Sequence, residues 1–195
     1  MAQFLKEEIR KRIIESAIKE FSEKGYDKAS IKNIAKGANV AVGNLYRYFE
    51  NKESLLKEVV KPVFGELVQM INTENVLENI DYKNYIYDTL NRFLDLYIAN
   101  KSIFFVVIDG CRGTKMGNII EGFIDMLADN IHKLVSKFNT GSFINKYEFS
   151  YALAVAVVQG TISILRNSKD EDVKTNFLQY NSFLMSDFAE RLNSI

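Results

Sequence analysis

Residues 42–49, VGNLYRYF, combine side chains that read nucleic acid with side chains typical of a protein core. In the DNA major groove Arg pairs with guanine and Asn with adenine, while Tyr hydroxyls bind phosphates. At about 100° per residue, Leu45 and Phe49 fall on one helix face, and Gly43 and Arg47 fall on the opposite face. The spacing predicts a helix with an apolar inner side and an outer side able to contact base edges.

The outer side of this predicted helix also carries Asn44 and Tyr46, with Val42 and Tyr48 at the edges. A solvated helix usually presents Lys, Glu or Ala instead. Gly43 would let the backbone approach bases closely, since it has no side chain. The residues alone leave one alternative open, an ordinary helical hairpin with a polar face.

The preceding residues predict the first half of a helix-turn-helix. Ser30 is placed to cap a helix over about 30–38, because its hydroxyl can accept a hydrogen bond from the first turn. The apolar side of that helix is formed by Ile31, Ile34, Ala35 and Ala38. Asn39 then stands in the turn, where Asn tolerates a left-handed backbone better than most residues.

Apolar residues recur at three and four positions almost throughout the chain, which predicts an all-α protein. Glycines, the single proline and polar stretches divide it into about nine helices, at about 4–24, 30–38, 42–49, 52–71, 83–99, 102–109, 116–138, 146–167 and 171–193. Pro62 lies inside the fourth helix and predicts a bend near 57–62, because proline removes a backbone hydrogen bond.

The composition of the 195 residues, 47% hydrophobic and 26% charged, is that of a soluble globular protein. We find no apolar run approaching the ~18–20 residues that span a bilayer, and we expect no membrane partner. The N-terminus is charged where a secretory signal would be apolar. A single cysteine, Cys111, cannot form an internal disulfide and favours the reducing cytoplasm.

We expect no catalytic residues, no metal site and no cofactor. One cysteine and one histidine, His132, do not supply the four ligands of a structural zinc site. The glycines of 109–117, DGCRGTKMG, lack the spacing of a phosphate-binding loop. The carboxylates are scattered on solvated faces, so an enzyme is not indicated.

Charge is unevenly distributed along the chain. Residues 1–62 hold 13 Lys and Arg against 9 Asp and Glu, and the remainder holds 12 against 16. A basic first third on an acidic remainder indicates a polyanionic partner at one end.

Residues 30–56 resemble the DNA-binding motif of the TetR family of bacterial transcriptional regulators. The matching residues are Ser30, Ile31, Ile34, Ala35, Ala38, Val40, Gly43, Leu45, Tyr46, Tyr48, Phe49, Lys52 and Leu55, preceded by Ile13, Ala17, Phe21, Gly25 and Tyr26. The match covers about residues 7–67. Asn39 departs from the usual turn glycine, and Ala41 from the usual Ser or Thr cap, a loss of about 0.5–2 kcal/mol.

The resemblance implies a helix-turn-helix DNA-binding domain at 1–50, with the motif itself at 30–49. An effector-binding and dimerisation domain at 51–195 follows through a long helix at about 52–71. It further implies a repressor that binds palindromic double-stranded operator DNA as a homodimer. A small-molecule effector would release this repressor from the operator. The implied phosphate contacts are Ser30, Tyr46, Tyr48 and Lys52, with Lys32 and Lys6 as additions, and the implied base-facing residues are Val42, Gly43, Asn44 and Arg47.

Candidate residues for the other two sites are large apolar residues or members of apolar stripes, and any of them can equally be core. For the effector we expect an uncharged or cationic hydrophobic molecule. Its candidate contacts are Phe64, Val68, Phe93, Tyr97, Phe104, Met116, Phe123 and Met126. The candidate dimer interface is Ala152, Val155, Gln159, Ser163, Phe177, Tyr180 and Leu184.

Two rival functions remain open at this point. The first is an activator, or a regulator of the same fold controlled by a protein. The second is a helical small-molecule-binding protein or enzyme without specific DNA binding.

Overall fold

The computed structural model describes residues 2–71, 82–111, 118–138 and 145–193, and all regular structure in these parts is helical. The helices are α1 Ala2–Lys28, α2 Ile31–Gly37, α3 Val42–Leu45, α4 Lys52–Ile71, α5 Tyr82–Ala99, α6 Lys101–Phe105, α7 Ile119–Phe138, α8 Lys146–Asn167, α9 Val173–Met185 and α10 Phe188–Asn193. The all-α prediction is confirmed. α6 continues as a π-helical turn, Val106–Gly110.

Single residues with a left-handed backbone interrupt two of the helices. The interruption at Gly25 falls at the predicted end of the first helix, and the one at Asp187 was not predicted. Gly25, with φ 72°, marks a kink in α1, and the chain makes one more turn to Lys28. Asp187, with φ 52°, separates α9 from α10, which the periodicity had joined into one helix. Both interruptions are local and leave the periodicity on either side intact, so the apolar pattern alone does not reveal them.

The chain forms two compact units. The first contains residues 1–66 and 97–119, and the second contains 67–96 and 120–195. The first is larger than the predicted DNA-binding domain, because α6 and the π-helical turn pack against α1.

The core of the first unit is built around α1. Ile13, Ala17 and Phe21, four residues apart, are each at most 1% exposed. Further buried apolar side chains of this unit come from α2, from α3 and the turn after it, and from α4, namely Ile34, Ala35, Ala38, Leu45, Phe49, Leu55, Leu56, Val59, Val60 and Val63. The short helices of the motif are thus held by longer ones.

The core of the second unit follows a stripe on α7. Ile124, Ala128, Ile131 and Val135 are buried and form one cluster with Ala154 of α8 and Leu192 of α10. In the same unit the rings of Phe93 and Phe177 stack at 4.9 Å.

Helix α8 corrects one expectation from the sequence. It is 22 residues long and contains an 18-residue window with a mean hydropathy of 1.5, so it is long and apolar enough to cross a membrane. The sequence analysis found no long apolar run, because small and polar residues such as Ser150 and Gln159 interrupt the large apolar ones. These interruptions are uncharged, however, and residues 149–165 carry no charge at all. One such helix is weak evidence for a membrane protein, since core and interface helices share its length and composition.

Close packing of α8 on α9 depends on Gly160. A methyl group added there would overlap the ring of Tyr180, whose Cε1 would lie at 2.7 Å. The Tyr180 hydroxyl donates to the carbonyl of Ala156, one turn earlier on α8. The absence of a side chain at Gly160 therefore leaves the space that the Tyr180 ring occupies.

We predict that Gly160→Ala destabilises the protein by about 1–2 kcal/mol, because the overpacking cost exceeds the gain in helix propensity. The matched control is Gly122→Ala on α7, where an added methyl meets nothing within 4 Å. The control should stabilise by about 0.5–1 kcal/mol. Urea unfolding followed by circular dichroism measures both, and equal effects of the two changes would contradict this packing.

Candidate nucleic-acid interface

The two short helices of the motif are joined by a tight, fully hydrogen-bonded turn. Ser30 caps α2, and its hydroxyl accepts from the Asn33 amide at 3.5 Å. At the other end Asn39 takes the left-handed conformation, φ 54°. The Asn39 amide donates to the Lys36 carbonyl at 3.1 Å, and the next amide donates to the Ala35 carbonyl at 2.9 Å. This pattern is a Schellman motif, in which Asn serves in place of Gly.

The predicted division of α3 into an inner and an outer face is confirmed. Leu45 is 0% exposed and Phe49 is 4% exposed, whereas Val42 and Tyr46 are 38% and 48% exposed. On the outer face Gly43 and Arg47 are exposed, and at its margins Asn44 and Tyr48 are half-buried. Apolar side chains hold the segment down, and the side chains able to contact DNA point away from the core.

Helical geometry in α3 ends earlier than the predicted residue 49. After Leu45 the amides of Arg47 and Tyr48 donate three residues back, to Asn44 at 3.1 Å and to Leu45 at 2.9 Å. Such bonds tighten the last turn of a helix. The segment 46–48 is therefore a turn that keeps the facing of the helix.

Nothing in the described parts of the chain requires a glycine at position 43. Its φ is not positive, and a Cβ added to it would meet nothing within 4 Å. A glycine in a helix interior costs about 1 kcal/mol relative to alanine. Its bare backbone leaves free space directly outside the exposed face of α3.

Ala41 occupies the N-cap of α3, as the sequence register predicted. Its backbone is extended, φ −69° and ψ 146°, and its side chain makes no capping bond. By contrast the start of α4 is capped by Asn51, whose side-chain oxygen accepts from the Ser54 amide at 2.8 Å. The Ser54 hydroxyl in turn accepts from the Asn51 amide at 3.1 Å. Sequence analysis missed this reciprocal cap, because Ser54 stands where the usual capping signal has Glu or Gln.

Glu20 of α1 joins α1 to α2 and was also missed. Its carboxylate, in a side chain 8% exposed, accepts from the Ser30 amide at 3.1 Å, the Asn33 side chain at 3.1 Å and the Lys24 ammonium at 3.0 Å. Burial raises the pKa of this carboxyl, but the bonds from Ser30, Asn33 and Lys24 outweigh burial and lower the pKa below 4.5. Its stabilising effect is therefore present above pH 4.5 and is lost as the pH falls through the lowered value.

Arg10 connects α1 with α4 and with the residue that ends the motif. Its guanidinium lies over the Phe49 ring at 5.5 Å and forms an ion pair with Glu58. An exposed pair of this kind contributes about 0–1 kcal/mol.

Lys52, implied as a phosphate contact, is directed into the first unit. Its ammonium donates to the Tyr26 carbonyl at 2.6 Å and to the Ala29 carbonyl at 3.2 Å. It also lies 4.2 Å from the centre of the Tyr26 ring. The phosphate contact at Lys52 stays a prediction, whereas Lys32 on α2 and Lys6 on α1 are exposed.

The effector candidates fall into both units, and Met116 lies outside the described residues. In the first unit Tyr97 and Phe104 meet edge to face at 5.4 Å, and Phe64 is half-buried. The candidates in the second unit are Val68, Phe93, Phe123 and Met126, of which Phe123 is 6% exposed. Their role as effector contacts stays a prediction.

The dimer candidates differ in how much surface they offer. Ala152, Gln159 and Ser163 are exposed, and Val155, Tyr180 and Leu184 are half-buried. Phe177 is 2% exposed and stacks on Phe93 of its own chain, so it has little surface left for a partner. Three exposed aromatics on α8 and α9 were not among the candidates, namely Tyr147, Tyr151 and Phe183 at 44%, 38% and 77%.

Two short helices joined by a tight turn, with Gly, Tyr and Arg exposed on the outer face and Asn at its margin, define a helix-turn-helix DNA-binding protein. Residues 13–59 match the model of the family described as "Bacterial regulatory proteins, tetR family". The biofilm operon icaADBC HTH-type negative transcriptional regulator IcaR of Staphylococcus aureus (strain Newman) is 32% identical over 134 residues. That alignment covers 67% of this chain and 69% of IcaR.

Two solved structures have a similar fold. A TetR-family transcriptional regulator from Bordetella parapertussis 12822 has a TM-score of 0.71 at 16% identity, covering 93% of this chain and 96% of that one. The transcriptional regulator FadR from Bacillus subtilis, in complex with stearoyl-CoA, has a TM-score of 0.61 at 20% identity, covering 90% and 97%. This chain belongs to the TetR family and is a DNA-binding transcriptional regulator.

Replacing Ala41 with Ser should stabilise α3 and strengthen DNA binding, because a hydroxyl at the N-cap can accept from the first-turn amides. The expected gain is about 0.5–2 kcal/mol in unfolding free energy, with tighter binding in a gel shift. The same exchange at Ala38, which is 2% exposed, should destabilise. If Ala41→Ser changes neither stability nor DNA affinity, Ala41 does not act as the cap.

Proposed function

We propose that this chain is a repressor that binds a palindromic operator as a homodimer and is released when a small molecule binds its C-terminal domain. The observation that carries the DNA-binding part is the outer face of α3. Gly43 is unnecessary for the protein's own packing. It is explained by a partner that approaches the backbone closely, as the edges of base pairs do.

The proposed DNA contacts separate by chemistry. Val42, Gly43, Asn44 and Arg47 face the bases, where Asn and Arg make paired hydrogen bonds. Ser30, Lys32, Tyr46 and Tyr48 contact phosphates, with Lys6 as an addition, and these contacts set the register without reading sequence. The implied contact at Lys52 is left out of the proposal, because its ammonium already donates to two carbonyl oxygens. The basic balance of residues 1–62 supports a polyanionic partner at this end.

Dimerisation is supported by the exposed apolar surface of α8 and α9. Of the residues in the apolar stretch of α8, 28% are buried within the single chain, and Val155, Val157 and Val158 are half-buried. Tyr147, Tyr151 and Phe183 add exposed aromatic area. Exposed patches of this kind mark interaction sites, and a second copy of the chain would cover them. Two recognition helices would then bind major grooves whose centres are ~34–36 Å apart or more.

The direction of control follows from the Staphylococcus aureus relative, which is named a negative regulator. An activator would raise the expression of its target gene, and a repressor lowers it. Reporter expression with and without the gene for this chain distinguishes the two.

For the effector we propose a molecule with a large hydrophobic part. The described candidates are aromatic or large and apolar, and such residues line adaptable apolar pockets. The Bacillus subtilis structure was solved with stearoyl-CoA, which joins an apolar acyl chain to an anionic group. Few charges lie among the apolar stripes here, which favours an uncharged or cationic effector. Calorimetric titration with stearoyl-CoA and with a hydrophobic cation separates these hypotheses.

A route for the effector signal is proposed along α4. Pro62 lies inside this helix and removes the hydrogen bond to the Glu58 carbonyl. Gly65 follows within one turn, and a methyl added there would meet nothing within 4 Å. Both residues weaken the same turn, so α4 can bend there when its C-terminal half is displaced.

A location in the cytoplasm and the absence of catalysis are part of this proposal. A regulator that binds DNA must share the compartment of the chromosome. Burial raises the pKa of the Cys111 thiol to about 11. The thiol is therefore protonated at neutral pH and is a poor nucleophile.

Operator binding is tested with a duplex from upstream of the chain's own gene, in a gel shift at rising salt. Binding should be sequence-specific and should weaken by about 10³–10⁵ between 50 and 200 mM salt if six to ten phosphates are contacted. Arg47→Ala should cost about 1–3 kcal/mol, whereas Arg92→Ala on the exposed side of α5 should change nothing. Equal affinity for an unrelated duplex would exclude specific recognition and favour a small-molecule-binding protein.

The dimer is tested by Phe183→Asp, measured as molar mass by light scattering on a size-exclusion column. Wild type should have twice the chain mass of 22.4 kDa. Two buried copies of this ring contribute about 3–6 kcal/mol, so the variant should dissociate at least about a hundredfold more readily. Tyr87→Asp, at a tyrosine of α5 that is 56% exposed, is the control. A dimer unaffected by Phe183→Asp would place the interface elsewhere.

A further inference from the structure

The peptide group between Ala29 and Ser30 is held at both of its polar atoms. Its carbonyl oxygen accepts from the Lys52 ammonium at 3.2 Å. Its N–H donates to the Glu20 carboxylate at 3.1 Å. This peptide is the junction between α1 and α2, and Ser30 is the N-cap of α2. Two oppositely charged side chains from different helices therefore fix the plane of one peptide.

The junction needs external support because the end of α1 is irregular. Gly25 breaks the helix with φ 72°. The Ala29 amide then divides its hydrogen bond between the carbonyls of Gly25 at 3.1 Å and Tyr26 at 3.3 Å. Lys52 donates to the same Tyr26 carbonyl at 2.6 Å. A cation at this position complements the partial negative charge of a helix C-terminus.

The ammonium group of Lys52 already has partners within the protein. An ammonium carries three donor hydrogens. Two carbonyl oxygens accept from it, and the face of the Tyr26 ring lies 4.2 Å away, within the range of a cation–π contact. The side chain is half-buried at the start of α4. To reach a phosphate it would have to leave all three partners.

We propose that Lys52 and Glu20 are positioning residues, which hold the Ala29–Ser30 peptide from both sides and so orient Ser30 and α2 for operator binding. This inference rests on the proposed function. It removes Lys52 from the phosphate contacts that the family resemblance implies. α2 carries the turn to α3, so a rotation at residue 30 displaces the recognition face as well.

The test compares Lys52→Met with Lys32→Met, the same exchange at an exposed lysine of the same unit. Operator affinity is measured at several salt concentrations, well below the unfolding temperature. Lys52→Met should weaken binding tenfold or more at every salt concentration and leave the slope of log K against log salt unchanged. Lys32→Met should reduce that slope by about 0.9 for each lost phosphate contact, hence about 1.8 for a dimer.

Two outcomes would overturn the assignment of Lys52. A slope reduced by about 1.8 in Lys52→Met would mean that Lys52 moves to a phosphate in the complex. An unchanged operator affinity, with only a lower unfolding temperature, would mean that the Lys52 hydrogen bonds to the end of α1 serve stability alone.

Glu20 gives the second arm of the test. Glu20→Gln keeps an oxygen for the Ser30 amide and should retain operator affinity within about threefold. Glu20→Ala should lose tenfold or more, since the partly buried Ser30 amide and Asn33 side chain would both lose their acceptor. Equal affinities of the two variants would contradict a positioning role for the carboxylate.

Hydrogen exchange separates failure of this inference from failure of the proposed function. The exchange rate of the Ser30 amide, measured by NMR without DNA, should rise at least tenfold in Lys52→Met and in Glu20→Ala. If wild type binds no operator but these rates rise in the variants, the repressor proposal fails, while the inference that Lys52 and Glu20 hold the Ala29–Ser30 peptide stands. If the exchange rates do not change, the inference that Lys52 and Glu20 hold this peptide is refuted, whether or not the protein binds the operator.

Discussion

The DNA-binding face depends on a constraint of length. An isolated helix shorter than ~12–15 residues is marginal in water, and α2 and α3 are 7 and 4 residues long. Their conformation is therefore imposed from outside. Leu45 and Phe49 bury the inner side, while Glu20 and Lys52 hold the entry to α2. The position of the recognition face therefore depends on the contacts that α2 and α3 make with the two long helices α1 and α4.

The sequence predicted those parts of the motif that rest on one residue and its local chemistry. Ser30 as a cap, Asn39 in a left-handed turn and the two faces of α3 follow from propensity and period. Glu20, Arg10 and Lys52 could not be assigned in this way. Each joins residues 10 to 48 positions apart, and charged residues of that kind have the same appearance in a sequence as solvated ones.

The second unit was predictable in class but not in detail. Its helices follow the period of apolar residues, and α7 buries the stripe that the period indicates. Whether an aromatic ring lines a cavity, meets a partner or packs inside is not encoded in that period. Phe177 and Phe183 stand six residues apart on α9, yet one is 2% and the other 77% exposed. Six residues place the two rings about 120° apart around the helix, and the side that carries Phe177 is the one covered, by the ring of Phe93.

The free space around Gly43 has a consequence for how such a regulator can diversify. Because no described part of the protein lies within 4 Å of a Cβ added there, a side chain introduced at this position would, under the proposed mode of DNA binding, alter the preferred DNA sequence without disturbing the core. Most L-residues would even favour the helical backbone over glycine. New binding specificities can arise at this position with little risk to folding.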